Sequence, residues 1–294
     1  MTRMLDAEVA VPAQCQLGEG PVWDQGRGLL WWVDILAGHV HTIDPDTGAR
    51  TWFDAGDPVG AAGLTRAGGL VLALVDGFAL ADHDGQRLTR LPGFSIDRSA
   101  IRFNDGKPDP WGNFCAGTMA WDESGNPPGS LYRLSPDGVV TELFGEVGLS
   151  NGLDWTDDRR LFYYADSNSG RVDLFDTDPD TGALADRRAF VTVPAADGIP
   201  DGLTLDAEGC LWLAIWGSSE VRRFTPDGRL DTVVRLPARQ VTSAAFGGPG
   251  LGTLYITTAW ESLTPADRAE QPHAGDIFAC TPGIAGRPPF LFAA

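Results

Sequence analysis

The sequence predicts an all-β protein, a six-bladed β-propeller of four-stranded blades, folded as one domain over residues 1–294. Three observations lead there. One layout recurs six times: a turn, an apolar or aromatic strand, a short gap, a second alternating strand and an Asp/Pro/Gly turn. Its spacing falls in the range of a four-stranded blade. Helical periodicity is nearly absent.

The copies begin "GLLWWVDILAGHVHTIDPDTG" at Gly28, "GLVLALVDGFALADHDG" at Gly69 and "GNFCAGTMAWDESGNPPGSLYRLSPDG" at Gly112. They continue with "RLFYYADSNSGRVDLFDTDPDTG" at Arg160, "GCLWLAIWGSSEVRRFTPDG" at Gly209 and "GTLYITTAWESL…GDIFACTPG" at Gly252. The first apolar residues of these strands, Leu30, Leu70, Phe114, Leu161, Leu211 and Leu254, are separated by 40, 44, 47, 50 and 43 residues. A β-sandwich would match the strand density but not the repetition. Only "TPADRAEQ" after Thr264 reads as a turn or two of helix. The strand-like segments Glu8–Val11 and "PFLFA" at Pro289–Ala293 are expected to share the last blade and so remove an open sheet edge.

Composition narrows the class of function. A chain of 294 residues that is 43% hydrophobic and 21% charged can bury a large core. A formal charge of −18 argues against nucleic acid and anionic membrane surfaces as partners. The N-terminal stretch has no apolar core of signal-peptide length, and the longest clean apolar run, Leu70–Val75, is far short of a membrane span. Cys15, Cys115, Cys210 and Cys280 are scattered without metal spacing and read as reduced thiols. The expectation is a cytoplasmic protein, a monomer or weak homo-oligomer, acting on a small molecule.

One repeat position carries the chemistry. Ten residues before Leu211, Leu161 and Phe114 stand Asp201, Asn151 and Asn104; eleven before Leu30 stands Glu19. The other two copies have Gly60 and Ala244 there. Pro200-Asp201-Gly202 taken alone is good turn chemistry. Four oxygen-bearing side chains at one repeat position are a ring around a common axis. Two carboxylates crowded there repel one another unless a cation or a proton relieves them. Carboxylate and amide oxygens, with no thiolate or imidazole, suit a hard divalent cation. No G-x-S-x-G elbow occurs, and the four histidines lie away from the ring position, so a Ser/His/Asp triad has little support.

The segments "LGEGPVWD", "RFNDGKPDP", "GTMA", "SNGLDW", "PDGLTLDAEG" and "AFGGPGLGTLYITTA" resemble the SMP-30/gluconolactonase/luciferin-regenerating-enzyme family, in its order, from about Leu17 to Ala259. The resemblance implies a six-bladed propeller with a divalent metal in the channel and sugar lactone hydrolysis. By motif, Glu19, Asn151 and Asp201 resemble the metal ligands, with Asp201 also the general acid/base, and Arg102 and Asn104 the substrate-binding pair. Two places depart. Regucalcin-like members carry Glu after "GTMA" where this chain has Trp121, here assigned to substrate binding, and many relatives read Thr-Ala-Arg where it has Thr258-Ala259-Trp260. Sugar preference is therefore not transferable, and neither is the identity of the metal among calcium, zinc, manganese, magnesium and iron. The alternatives are a metal-dependent phosphotriesterase resembling the diisopropyl-fluorophosphatases, and a non-enzymatic calcium-binding propeller.

Overall fold

A computed structural model describes residues 2–294. The apolar and aromatic runs identified above become strands, and consecutive strands pair antiparallel as hairpins. Gly18–Asp24, Leu29–Asp34, His39–Ile43 and Arg50–Asp54 form one four-stranded sheet. Three more are built the same way, starting at Val59–Leu64, Ile101–Pro108 and Ser150–Trp155. A nine-stranded sheet combines two further antiparallel units, one starting at Ile199–Leu205 and one at Gln240–Gly247, joined through the single pair Trp216 and Gln240. This all-β arrangement of four-stranded sheets is the construction of a β-propeller.

Burial falls across each unit in a way the residues dictate. The first strands, such as Val59–Leu64 and Ser150–Trp155, are buried along their whole length. The fourth strands, such as Arg50–Asp54 and Leu88–Arg90, are charged and largely exposed. The first strands pack on one another in chain order, and Gln240–Gly247 returns onto Gly18–Asp24. Between the sheets lie separate apolar clusters; one joins Ala61, Val71, Phe78, Phe103 and Phe114.

The N-terminus behaves as expected and goes further. Glu8–Val11 pairs with Ile277–Cys280, completing the last unit. Arg3–Asp6, not anticipated as a strand, adds in parallel to Leu230–Arg235 of the unit before it. The C-terminal expectation fails. "PFLFA" does not join the last unit: Phe292 bridges Thr65, and the Ala293 N–H donates to the Gly112 carbonyl. The reason is apolar burial, since Phe292 is 1% exposed within the Phe78–Phe103–Phe114 cluster. The helix after Thr264 is present as Pro265–Glu270, closed by a capping box between Thr264 and Asp267. No described helix is long and apolar enough to cross a membrane.

Candidate metal and substrate site

All six first strands shift register against their second strands at the repeat position. The irregularities fall between Glu19 and Val22, Val59 and Ala61, Phe103 and Gly106, Ser150 and Leu153, Pro200 and Leu203, and Val241 and Ser243. A bulge places an extra residue on one strand and re-aims its side chain. It thereby turns Glu19, Asn104, Asn151 and Asp201 out of the apolar alternation toward a shared cavity.

The glycines beside these residues have a cause other than turn formation. A Cβ on Gly152 would lie 2.6 Å from the Asp201 carbonyl oxygen, and one on Gly60 would lie 2.7 Å from that of Asn104. Only glycine lets neighbouring first strands approach so closely. Pro200-Asp201-Gly202 is accordingly not a turn but part of the strand Ile199–Leu205.

The four side chains are buried, between 4% and 6% exposed, and partly interlinked. Asn104 Nδ2 donates to the Ser150 carbonyl at 2.8 Å and to Asn151 Oδ1 at 3.1 Å. Arg102 Nη1 donates to Asn104 Oδ1 at 2.7 Å and to the Phe103 carbonyl at 3.1 Å. Asn151 Nδ2 donates to Ser167 Oγ at 2.9 Å, and that hydroxyl donates to the Pro200 carbonyl at 2.6 Å. Glu19 Oε2 accepts from the Gly20 N–H at 2.7 Å. Asp201 Oδ1 is buried with no hydrogen-bond partner.

Two carboxylates hold the loops that carry these residues. Asp34 accepts from the Gln16 and Leu17 N–H groups at 2.8 and 3.0 Å, just ahead of Glu19. Asp166 accepts from Gly148 and Leu149 at 3.2 and 3.0 Å, just ahead of Asn151. Both end the second strand of their unit, at "WWVD" and "YYAD". That shared ending was the sequence signal for this clamp.

Burial, then the charge of Glu19, then that of Asp105, pushes the Asp201 carboxyl well above the usual range. Glu19 is raised by burial and by Asp105. Asp105 is itself raised by burial, with Lys107 opposing. Sequence reasoning passed over Asp105, although it follows Asn104 directly. Three buried carboxyls thus crowd together with too little positive charge. Burial lowers the Arg102 guanidinium to about 10, against the opposing charges of Glu123, Glu19 and Glu261.

Arg102, Asn104, Glu19, Asn151, Ser167 and Asp201 line one open cavity, with Met119, Leu149 and Trp216 as apolar wall and Glu123 and Glu261 as further acids. Trp121 is not among the lining residues: it is 39% exposed, donates from Nε1 to the Arg98 carbonyl at 2.9 Å, and stands 5.5 Å from the Arg102 guanidinium. Trp260 packs against Arg268, whose guanidinium lies 4.2 Å from its ring. A second cavity is lined by residues about three further along the same strands, Val22, Lys107, Asp154 and Thr204. There Asp154 pairs with both Lys107 at 3.4 Å and Arg287 at 2.5 Å.

Cys15, Asp34 and His41 also gather, with potential ligand atoms within 4.8 Å of one another. Most of those atoms already have partners, although His41 Nε2 is buried without one. Asp34 holds the two N–H groups described, Cys15 Sγ accepts from Trp32 Nε1 at 3.4 Å, and His41 stacks on Trp32 beside Arg50. Burial pushes the Cys15 thiol up to about 12 and His41 down to about 3. The four cysteines are all free thiols, as expected.

The family described as "SMP-30/Gluconolactonase/LRE-like region" matches residues 17–260. A Bacillus subtilis protein named "Putative sugar lactone lactonase YvrE" is 36% identical over 290 residues, covering 98% of this chain and 99% of that protein. Human regucalcin is 38% identical, with 97% and 98% covered. The crystal structure of a calcium-binding protein, regucalcin, from Agrobacterium tumefaciens superimposes with a TM-score of 0.92 at 27% identity, with both chains fully covered. The chain belongs to the SMP-30/gluconolactonase/LRE-like family.

Proposed function

We propose that this chain is a single-domain, six-bladed β-propeller that hydrolyses sugar lactones to aldonic acids, with one divalent cation held by Glu19, Asn151 and Asp201. The observation that carries this reading is the buried, partnerless Asp201 Oδ1 in a polar cavity that Glu19 also lines, under the further charge of Asp105. A cation fits there, because it would relieve the crowded charge and occupy that oxygen. The donors are all oxygens, which suits a hard ion such as calcium, magnesium or manganese. Relatives named for lactone hydrolysis and for calcium binding support both halves of the reading. The free cysteines fit a cytoplasmic setting.

When bound, such a cation supplies Lewis-acid polarisation of the lactone carbonyl. The protein supplies the rest. Asp201 accepts a proton from the attacking water and returns it to the ring oxygen as the ester bond opens. Arg102 donates to substrate hydroxyls from the part of its fork that Asn104 and Phe103 do not occupy. Both Asn104 amide hydrogens are already engaged, so Asn104 orients Arg102 and Asn151 and is not an oxyanion donor. The apolar wall of Met119, Leu149 and Trp216 limits water at the reacting face.

A pH-stat lactone panel on cation-stripped protein, with each of the five cations added back, tests this. Turnover restored by one or more cations is expected, and Glu19→Gln should lower bound cation in elemental analysis while the fold is retained. No cation-dependent lactone turnover would overturn the reading, and faster turnover of organophosphates would replace it with the phosphotriesterase alternative.

A further inference from the structure

We infer that the mouth of the cavity selects uncharged lactones and turns away anionic ones, with Glu123 and Glu261 as the specificity-determining residues. The inference rests on the lactonase reading above and deepens it. Four carboxylates, Glu19, Glu123, Asp201 and Glu261, line the cavity against a single guanidinium, Arg102. A divalent cation on Glu19 and Asp201 would still leave an excess of one negative charge.

Both residues are held in place. After Ala120 the chain sends Trp121 outside the cavity and turns back at Glu123, which takes a left-handed φ of 59°. A non-glycine residue in that region is uncommon and needs support. The support is visible: the Glu123 N–H donates to the Ala120 carbonyl at 3.1 Å, and its own carbonyl accepts from Asn168 Nδ2 at 3.0 Å. Glu261 is fixed from the other side by Gln16, whose carbonyl accepts the Glu261 N–H at 2.9 Å and whose Nε2 donates to Glu261 Oε2 at 2.9 Å.

Both carboxylates act on the charge of Arg102. The guanidinium therefore offers hydrogen bonds to hydroxyls while its pull on an anion is opposed by both carboxylates. A phosphate or carboxylate on the substrate would enter a negative mouth, within a chain of formal charge −18. The same field favours departure of the aldonate, which gains its negative charge as the ring opens.

The test compares kcat/KM for glucono-δ-lactone and for its 6-phosphate ester in the cation-loaded protein, in Glu123→Gln, in Glu261→Gln and in the double variant, at low and high ionic strength. Wild type should prefer the neutral lactone. Each substitution should narrow that preference by on the order of tenfold, the scale of one like charge at partly screened distance. High salt should narrow it in wild type and leave the double variant little changed. Equal use of both lactones by wild type, or an unchanged preference in the double variant, overturns the inference. Calorimetry with glucitol and glucitol 6-phosphate separates it from the hydrolase reading. If no lactone is turned over, exclusion of the phosphate by wild type and its admission by the double variant still support charge selection. Equal binding of both polyols by wild type overturns it.

Discussion

Asp201 stands out at the scale of single residues because it combines three properties: burial, a carboxyl raised by that burial and by its acidic neighbours, and an oxygen with no partner. Asp201→Asn preserves shape but removes the charge and the proton acceptor. Lactone turnover should fall by about 10² to 10⁴-fold, the usual cost of losing a general base. Activity within a few-fold of wild type, with the cation retained, would remove Asp201 from that role. Arg102 is a harder case, since Nη1 is tied to Asn104 and Phe103. An ammonium cannot reproduce a planar fork that both orients Asn104 and reaches substrate. Arg102→Lys should therefore lower kcat/KM strongly for hydroxylated lactones and much less for an unsubstituted lactone. Equal losses on both would mark Arg102 as a purely positioning residue.

At the scale of elements, the working unit is a bulged first strand plus the loop that precedes it. The bulge aims the side chain, the neighbouring glycine lets the next strand close in, and Asp34 or Asp166 ties the loop down. Asp166→Ala leaves the Gly148 and Leu149 N–H groups without their acceptor. Denaturant unfolding should show a loss of about 1–3 kcal/mol for those orphaned donors. Asn151 follows two residues after Leu149, in the strand Ser150–Trp155, so cation affinity measured by titration should weaken as well. Unchanged affinity in a destabilised variant would confine the clamp to stability. The sequence displayed the clamp's residues, but a carboxylate at a strand end has many possible partners, and only the fold chooses between them.

Across the whole molecule, the N-terminal segment is a staple. Arg3–Asp6 and Glu8–Val11 cover the outer edges of two successive units, and Ala7 and Val11 are buried. Deleting residues 2–11 exposes two strand edges able to pair with other chains. The melting temperature should fall, and light scattering should report self-association. A monomeric deletion variant of unchanged melting temperature would show that the remaining strands close the structure unaided.

Repetition made much of this protein legible from its sequence. The strand pattern, the recurrent layout and the common position of Glu19, Asn104, Asn151 and Asp201 are local periodicities, and a chain with a period of one blade must bring equivalent positions into equivalent places. The same logic identified Glu8–Val11 as a closing strand. What escaped it has no period. Glu123 and Glu261 reach the cavity from places that no other repeat shares, Asp105 stands directly after the ring position where three other repeats have glycine, and Trp121 is not part of the cavity lining. Phe292 abandons the last unit for an apolar cluster built from strands far away in sequence. The side-chain alternation of a strand is written in its own few residues, and so the sequence by itself determined the sheets and the ring. The charge around Asp201 and Arg102 is a sum over groups separated by up to about 240 positions, and only the tertiary structure decided it.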